Sequence, residues 1–253
     1  MTWALDLDGV VWLAGRALPG AAGAVETLRQ AGERVVFLTN NSGPLVAGHV
    51  DALAQIGIEC APQDLATSAQ AAASLLARHS RAAVIGDEGI REALVARAVQ
   101  EVDAADGPDA VIVGRTLHLD YAALAAAATA VRKGARFIAA NADATFPTGG
   151  PDGLLPGAGA LVAFVATAAG RSAEVAGKPH EAMAALVKAR FGQLSVMVGD
   201  RPDTDGLFAK RVGARFGLVL SGVTQVSDLP VDPAPDLLAR DLATLVGDYL
   251  RQR

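Results

Sequence analysis

The sequence predicts an α/β fold with a parallel sheet, into which a second α/β unit is inserted. Short apolar runs alternate with amphipathic or alanine-rich stretches. Strand–helix–strand succession of this kind calls for parallel strands joined by right-handed crossovers. The alternation restarts near residue 80 and hands back near residue 172, which marks the insertion. Polar segments follow four of the apolar runs, and in an open parallel sheet ligands bind at the carboxyl ends of strands.

In the stretch from Trp3 to Trp12 an apolar run, read as a buried strand, carries Asp6 and Asp8 straight into Gly9. Side chains alternate along a strand, so Asp6 and Asp8 point the same way while Leu7 turns into the core. Gly9 lets the chain turn and lets backbone N–H groups approach an anion. A polar Asp-Gly turn gives the same pattern without chemistry, so the later segments decide. Ala21 to Ala31 has helical spacing and stops at Gly32. Arg34 to Leu38 is a short strand ending in Thr39, Asn40, Asn41, Ser42 and Gly43, and Pro44 suits the first turn of a helix to about Ile56. Ala66 to Arg78 reads as one helix.

In the inserted unit the sequence predicts strands at Ala82–Ile85, Ala110–Val113 and Arg136–Ala140. Helices are expected at Gly89–Val99, Tyr121–Lys133 and Ala158–Ala169, with an irregular Gly/Pro-rich stretch from Asn141 to Gly157. The core resumes with a strand at Glu174–Ala176, a helix at Glu181–Phe191 and a strand at Leu194–Val198. A short helix to about Arg211, a strand near Phe216–Leu220 and a last helix at Leu238–Leu250 complete the chain.

Composition sets limits on function. The chain has 253 residues, is 51% hydrophobic and carries a net charge of −5, without the Lys/Arg clusters that a phosphate backbone requires. Nucleic acid is therefore not an expected partner. The single cysteine, Cys60, excludes an internal disulfide and fits a reducing compartment. The longest apolar run, Ala158 to Ala169, is too short to span a bilayer, and no signal peptide is visible. The expectation is a soluble, cytoplasmic protein with no membrane partner.

The chemistry lies in the four polar segments. Asp6, Asp200 and Asp205 offer oxygen ligands for a hard cation such as Mg²⁺. Lys178 adds a positive point charge, and Thr39 with the N–H groups after it supplies anion donors. A site with a cation-binding half and an anion-binding half suits a phosphate. Gly157-Ala158-Gly159 lacks a clean preceding strand and a third spaced glycine, so it is not read as a dinucleotide loop.

Taken in order, these segments resemble those of the haloacid dehalogenase (HAD) superfamily of aspartate-nucleophile phosphatases. The narrower resemblance is to the NagD-like, p-nitrophenylphosphatase branch. It rests on Asp6 to Val10, Leu38 to Ser42, Phe146 to Thr148 with Gly153 to Gly159, Gly177-Lys178-Pro179, and Gly199-Asp200-Arg201 with Thr204-Asp205. The resemblance implies a Rossmann-like parallel-sheet core at 1–79 and 173–253 and an inserted α/β cap domain at 80–172. It implies Asp6 as nucleophile. Asp8 would be the acid/base, with its backbone carbonyl on the metal. Thr39 and Asn40 would hold the phosphate, and Lys178 would offset charge there. Asp200 would ligate Mg²⁺, and Asp205 would support the metal's water shell. The expected reaction is hydrolysis of small phosphomonoesters, of sugar phosphate, nucleotide or glycerol phosphate type. A phosphotransferase or mutase, or a phosphate-dependent sensor, are the alternatives. A homodimer through the cap fits its apolar helices.

The chain departs from the family pattern in the cap. Relatives often carry an acidic residue soon after the strand matching Val111 to Val113, where this chain has Arg115-Thr116-Leu117-His118. They commonly have Asn-Pro-Asp where this chain has Asn141-Ala142-Asp143. Arg115 and His118 are read as solvated loop residues rather than substrate contacts, Asn41 and Ser42 as helix-capping residues or phosphate neighbours, and His180 as a helix-start residue.

Overall fold

The computed structural model describes residues 1–148 and 153–252. Its larger sheet has six parallel strands in the order Leu237–Ala239, Arg215–Val219, Val196–Gly199, Thr2–Asp6, Arg34–Thr39, Leu65–Thr67. Thr2–Asp6 lies inside this sheet and is buried on both faces, as its near-continuous apolar run requires. Trp3, Leu5 and Leu7 pack on one face, with Phe37, Val25, Leu28 and Val246. Ala4 faces the other way, with Val36, Leu38, Met183, Met197 and Phe208. Helices Ala21–Gln30 and Leu242–Arg251 cover the first face, where Trp3 meets Tyr249 edge-on at 4.8 Å.

The second sheet has five parallel strands in the order Glu174–Val175, Arg136–Ala139, Ala110–Val113, Arg81–Ile85, Gln100–Glu101. Val111 and Val113 pack under helices Tyr121–Arg132 and Ala158–Ala169. Ala110 and Ile112 face the opposite way and join the same apolar cluster as Ala4 and Leu38. The two sheets thus share one continuous core through helices Ser68–Ser74 and Glu88–Arg97.

Several elements differ from expectation. Ala66 and Thr67 belong to a strand, and the helix starts only at Ser68, because a Thr67–Gln70 capping box fixes its start. Leu238 and Ala239, expected to open the last helix, lie in a strand Leu237–Ala239 that pairs with Gly217–Val219, and Asp241 then caps a helix from Leu242. Trp12–Leu13 and Arg16–Ala17 form a small hairpin. Within the stretch expected to be irregular, Thr145–Pro147 and Leu154–Pro156 pair antiparallel; residues 149–152 of that stretch lie outside the described residues.

The most consequential difference concerns Glu174–Val175, expected in the core sheet. It pairs with Ile138 and Ala139 of the second sheet, and the pairing continues through Ala176 N–H and Gly177 N–H to the Ala139 and Ala140 carbonyls. A Cβ on Gly177 would stand 2.6 Å from Asn40 Oδ1 and 2.7 Å from the Ala140 carbonyl, so only glycine passes this crossing. Lys178 therefore reaches the large sheet from the small one.

Candidate active site

The large sheet delivers Asp6 at the end of Thr2–Asp6, Thr39 at the end of Arg34–Thr39 and Asp200 just after Val196–Gly199. Past Asp6 the chain coils tightly, with the Leu7 carbonyl accepting from the N–H groups of Val10, Val11 and Trp12. The coil brings Trp12 Nε1–H to Asp8 Oδ1 at 3.1 Å. Gly9 takes φ +78°, and a Cβ there would lie 2.4 Å from Asp200 Oδ2. Glycine at this turn lets the two strand ends close together.

Lys178 is almost fully buried, and its Nζ lies 2.8 Å from Asp6 Oδ1 and 2.6 Å from Asp205 Oδ1. Burial alone would lower its pKa, but Asp205 and Asp6 together hold it above its ordinary value, so it stays charged. Asp205 comes from a π-type turn at Pro202–Gly206, in which the Arg201 carbonyl accepts from Asp205 N–H at 2.8 Å. Asp205 Oδ2 in turn accepts from Arg201 N–H at 3.2 Å. A Cβ on Gly199 would stand 2.2 Å from the Asp205 carboxylate, so that glycine makes room for it. Asp205 is fully buried and is not part of the cavity lining.

One carboxylate oxygen from each of Asp6, Asp200 and Asp205 lies within 4.8 Å of the other two. Burial raises the pKa of Asp6 well above the ordinary range, against the pull of Lys178. Burial, and then the Asp205 charge, push Asp200 up to about 7, although Val223 N–H donates to its Oδ2 at 2.6 Å. Three close carboxylates share one ammonium, and an all-oxygen donor set short of positive charge fits Mg²⁺. The Asp8 side chain stands outside that group. Its pKa is raised chiefly by burial, which favours a protonated acid.

Thr39 is buried, and its Oγ1 accepts from Asn41 N–H at 3.0 Å, which curls the loop over the end of the strand. The Asn40 side chain is committed elsewhere: its Oδ1 accepts from Lys178 N–H at 2.8 Å and its Nδ2 donates to the Lys178 carbonyl at 3.1 Å. Asn41 Oδ1 accepts from Gly43 N–H, and Leu45, not Ser42, is the residue that precedes the next helix. Ser42 instead accepts from Arg115 N–H at 3.0 Å.

One cavity gathers Asp6, Asp8, Thr39, Asn40, Lys178 and Asp200, walled by Asn141, Asp143, Phe146, Arg201 and Arg115. Arg115 thus departs from the solvated-loop reading, because the Ser42 contact draws its loop onto the core. His118 is exposed and lies outside this cavity, and His180 precedes helix Glu181–Phe191 without lining it. Asp143, Phe146, Arg201 and Trp12 were not singled out as site residues from sequence. The signal at Arg115 was its departure from the family pattern, and the signal at Asp143 was its place beside Ala142, where that pattern has proline.

Carboxylates from the strand ends of the large sheet, a buried lysine from the small one and the polar loop after Thr39 meet in one cavity, as in a hydrolase of phosphoric monoesters. The chain belongs to the HAD superfamily, in the NagD-like branch of phosphatases. Residues 3–100 match the family model described as haloacid dehalogenase-like hydrolase, and residues 175–245 match the HAD-hydrolase-like model. The chain is 39% identical to the D-glycerol 3-phosphate phosphatase of Mycobacterium tuberculosis, over 96% of this chain and 70% of that one. It is 32% identical to the acid sugar phosphatase of Staphylococcus haemolyticus, over 96% and 94%. Among solved structures, the p-nitrophenyl phosphatase from Archaeoglobus fulgidus superposes with a TM-score of 0.89 at 28% identity, covering 98% of each chain. The M. tuberculosis glycerol phosphate phosphatase in complex with magnesium gives 0.89 at 35% identity, covering 96% of this chain and 75% of that one. The enzyme is a metal-dependent phosphatase that uses Mg²⁺. Among the described residues, no helix is long and apolar enough to cross a membrane.

Proposed function

We propose that the enzyme hydrolyses small phosphomonoesters, of sugar phosphate, nucleotide or glycerol phosphate type, through an aspartyl-phosphate on Asp6. The observation that carries this reading is the Asp6 carboxylate in the cavity, held 2.8 Å from Lys178 Nζ and beside Asp200. The names of the relatives, a glycerol phosphate phosphatase and an acid sugar phosphatase, support the substrate class.

Asp6 attacks phosphorus, and the bond from phosphorus to the leaving oxygen breaks. Asp8, whose protonated form burial favours and which Trp12 orients, gives that oxygen its proton. Asp8 then takes a proton from water, the water oxygen attacks phosphorus, and inorganic phosphate leaves with Asp6 regenerated. Lys178 offsets the repulsion between the Asp6 carboxylate and the phosphate, and Thr39 shapes the donors on the far side. Asp6, Asp200 and the Asp8 carbonyl would hold Mg²⁺, with Asp205 supporting it. When bound, the ion neutralises charge developing on the phosphoryl oxygens.

In this reading residues 1–79 and 173–253 form the catalytic core, apart from the Glu174–Val175 strand. The block 80–172, lengthened by the Glu174–Val175 strand, is the cap that excludes water and meets the leaving group. A cytoplasmic setting fits the lone Cys60, whose thiol is pushed up to about 11, chiefly by burial, and is therefore inert. Exposed Leu117, Leu119 and Tyr121 on the cap support a homodimer through it.

The test is release of inorganic phosphate from a panel of such esters, with Mg²⁺, with chelator, and with Asp6→Asn alongside. Turnover should require both Mg²⁺ and Asp6. Full turnover by Asp6→Asn would end the covalent mechanism.

A further inference from the structure

We infer that Arg115 is a specificity residue that selects phosphomonoesters whose leaving alcohol carries a second anionic group, a carboxylate being the best fit. The inference rests on the reading of this cavity as the phosphatase site. The cavity holds three cationic side chains. Lys178 is saturated by Asp6 and Asp205, and Arg201 pairs with Asp203 at 3.1 Å. Arg115 alone is unspent: among the described residues its guanidinium makes no hydrogen bond and no ion pair, and its Nε is buried without a partner. A half-buried guanidinium left in this state is costly, and a bound anion removes the cost.

Its placement is built rather than incidental. Arg115 N–H donates to Ser42 Oγ at 3.0 Å, and its carbonyl accepts from Asp87 N–H at 3.1 Å. Gly114 beside it leaves room for that approach, since a Cβ there would lie 2.6 Å from Ser42 Oγ. The guanidinium then lies over the Phe146 ring, 4.5 Å from its centroid. Stacking orients the plane of the group, and a planar guanidinium is the shape that takes a carboxylate through two parallel hydrogen bonds. Because the phosphoryl end is fixed by Asp6, Lys178 and Thr39, what meets the cap side of the cavity is the leaving group.

A matched pair tests this. 3-Phosphoglycerate and glycerol 3-phosphate differ in one place, a carboxylate against a hydroxymethyl group. The wild-type enzyme should favour 3-phosphoglycerate in kcat/KM. Arg115→Gln should reduce kcat/KM for 3-phosphoglycerate roughly 10- to 100-fold more than for glycerol 3-phosphate, as loss of a charge-assisted contact predicts. Arg115→Lys keeps the charge but not the planar fork and should fall between; it also serves if the glutamine variant fails to fold. An equal loss on both substrates would mean that Arg115 acts through the field at Asp8, and would overturn the inference. So would a wild-type enzyme indifferent to the carboxylate. Calorimetric titration of both esters into Asp6→Asn with Mg²⁺, with and without Arg115→Gln, gives a readout free of turnover. Selective loss of 3-phosphoglycerate binding there, with no ester hydrolysed by the wild type, would uphold the role of Arg115 and bring down the phosphatase reading instead.

Discussion

The Asn40 side chain clasps the peptide of Lys178, accepting from its N–H at 2.8 Å and donating to its carbonyl at 3.1 Å. Asn40 ends a segment of the large sheet, whereas Lys178 arrives from the small one. The clasp therefore registers Lys178 against the end of Arg34–Thr39, the strand that pairs with the one carrying Asp6. Asn40 Nδ2 also reaches Asp143 Oδ1 at 3.3 Å, on the cap side of the cavity.

Removing the clasp should cost both stability and rate. Asn40→Ala leaves two buried backbone groups of Lys178 unpaired, for a loss of about 2–4 kcal/mol in denaturant unfolding. Asn40→Asp keeps the acceptor but sets an oxygen against the Lys178 carbonyl, so it should also lose activity. In both variants kcat should fall, because Lys178 is misplaced. A rise in KM with unchanged kcat and unchanged stability would mean instead that Asn40 simply binds phosphate.

Lys178 itself sits between two carboxylates, and its loss should be severe. Lys178→Met leaves Asp6 and fully buried Asp205 without their shared cation, a change that typically destabilises by ~3–5 kcal/mol. Asp205→Asn in the same chain removes one of the stranded charges and should recover part of that stability while leaving turnover absent. A double-mutant cycle by chemical denaturation measures the coupling. Additive losses would show that Asp205 and Lys178 do not act as a pair.

These polar partners explain what could be read from the chain alone. The strand carrying Asp6, the helices Ala158–Ala169 and Glu181–Phe191, and the cluster of Asp6, Lys178 and Asp200 were legible because each is local: a period, a cap or a short motif after a strand. Leu65–Thr67 and Leu237–Ala239 were missed because they are short edge strands defined by pairing with Phe37–Thr39 and Gly217–Val219. Glu174–Val175 was given to the core sheet because two residues carry no record of which neighbour they bond to. Arg115 and Phe146 are 31 positions apart, and nothing local says that one stacks on the other.

Trp12 is such a non-motif residue with a consequence for rate. Its Nε1–H bond to Asp8 Oδ1 orients the proposed acid. Trp12→Phe keeps the ring packing and removes the bond. The loss should depend on the leaving group: roughly tenfold for alkyl phosphates, whose leaving oxygen needs a proton, and much smaller for p-nitrophenyl phosphate, whose anion leaves unaided. Steady-state kcat across a series of leaving groups gives the slope. Equal losses throughout the series would place the effect of Trp12 on folding or on phosphate binding rather than on Asp8.

His49 gives the fold a pH dependence with a definite sign. It is buried in helix Val46–Gln55, its Nε2 has no hydrogen-bond partner among the described residues, and its pKa is lowered to about 4. Burial is the main cause, with the Arg115 charge acting the same way and the Asn41 backbone bond opposing it. In the unfolded chain the imidazole titrates near ~6.5, so between the two values the unfolded state binds the extra proton. The contribution is fully present above pH ~6.5 and is lost as pH falls toward 4, reaching about 2–3 kcal/mol by pH ~4.5. His49→Gln cannot take that proton. Its stability relative to wild type should therefore improve by this amount between pH ~7.5 and ~4.5, and comparing the two proteins cancels the titration of every other group. Urea unfolding at several pH values measures the difference, and parallel curves for the two proteins would show that His49 is already charged in the folded state.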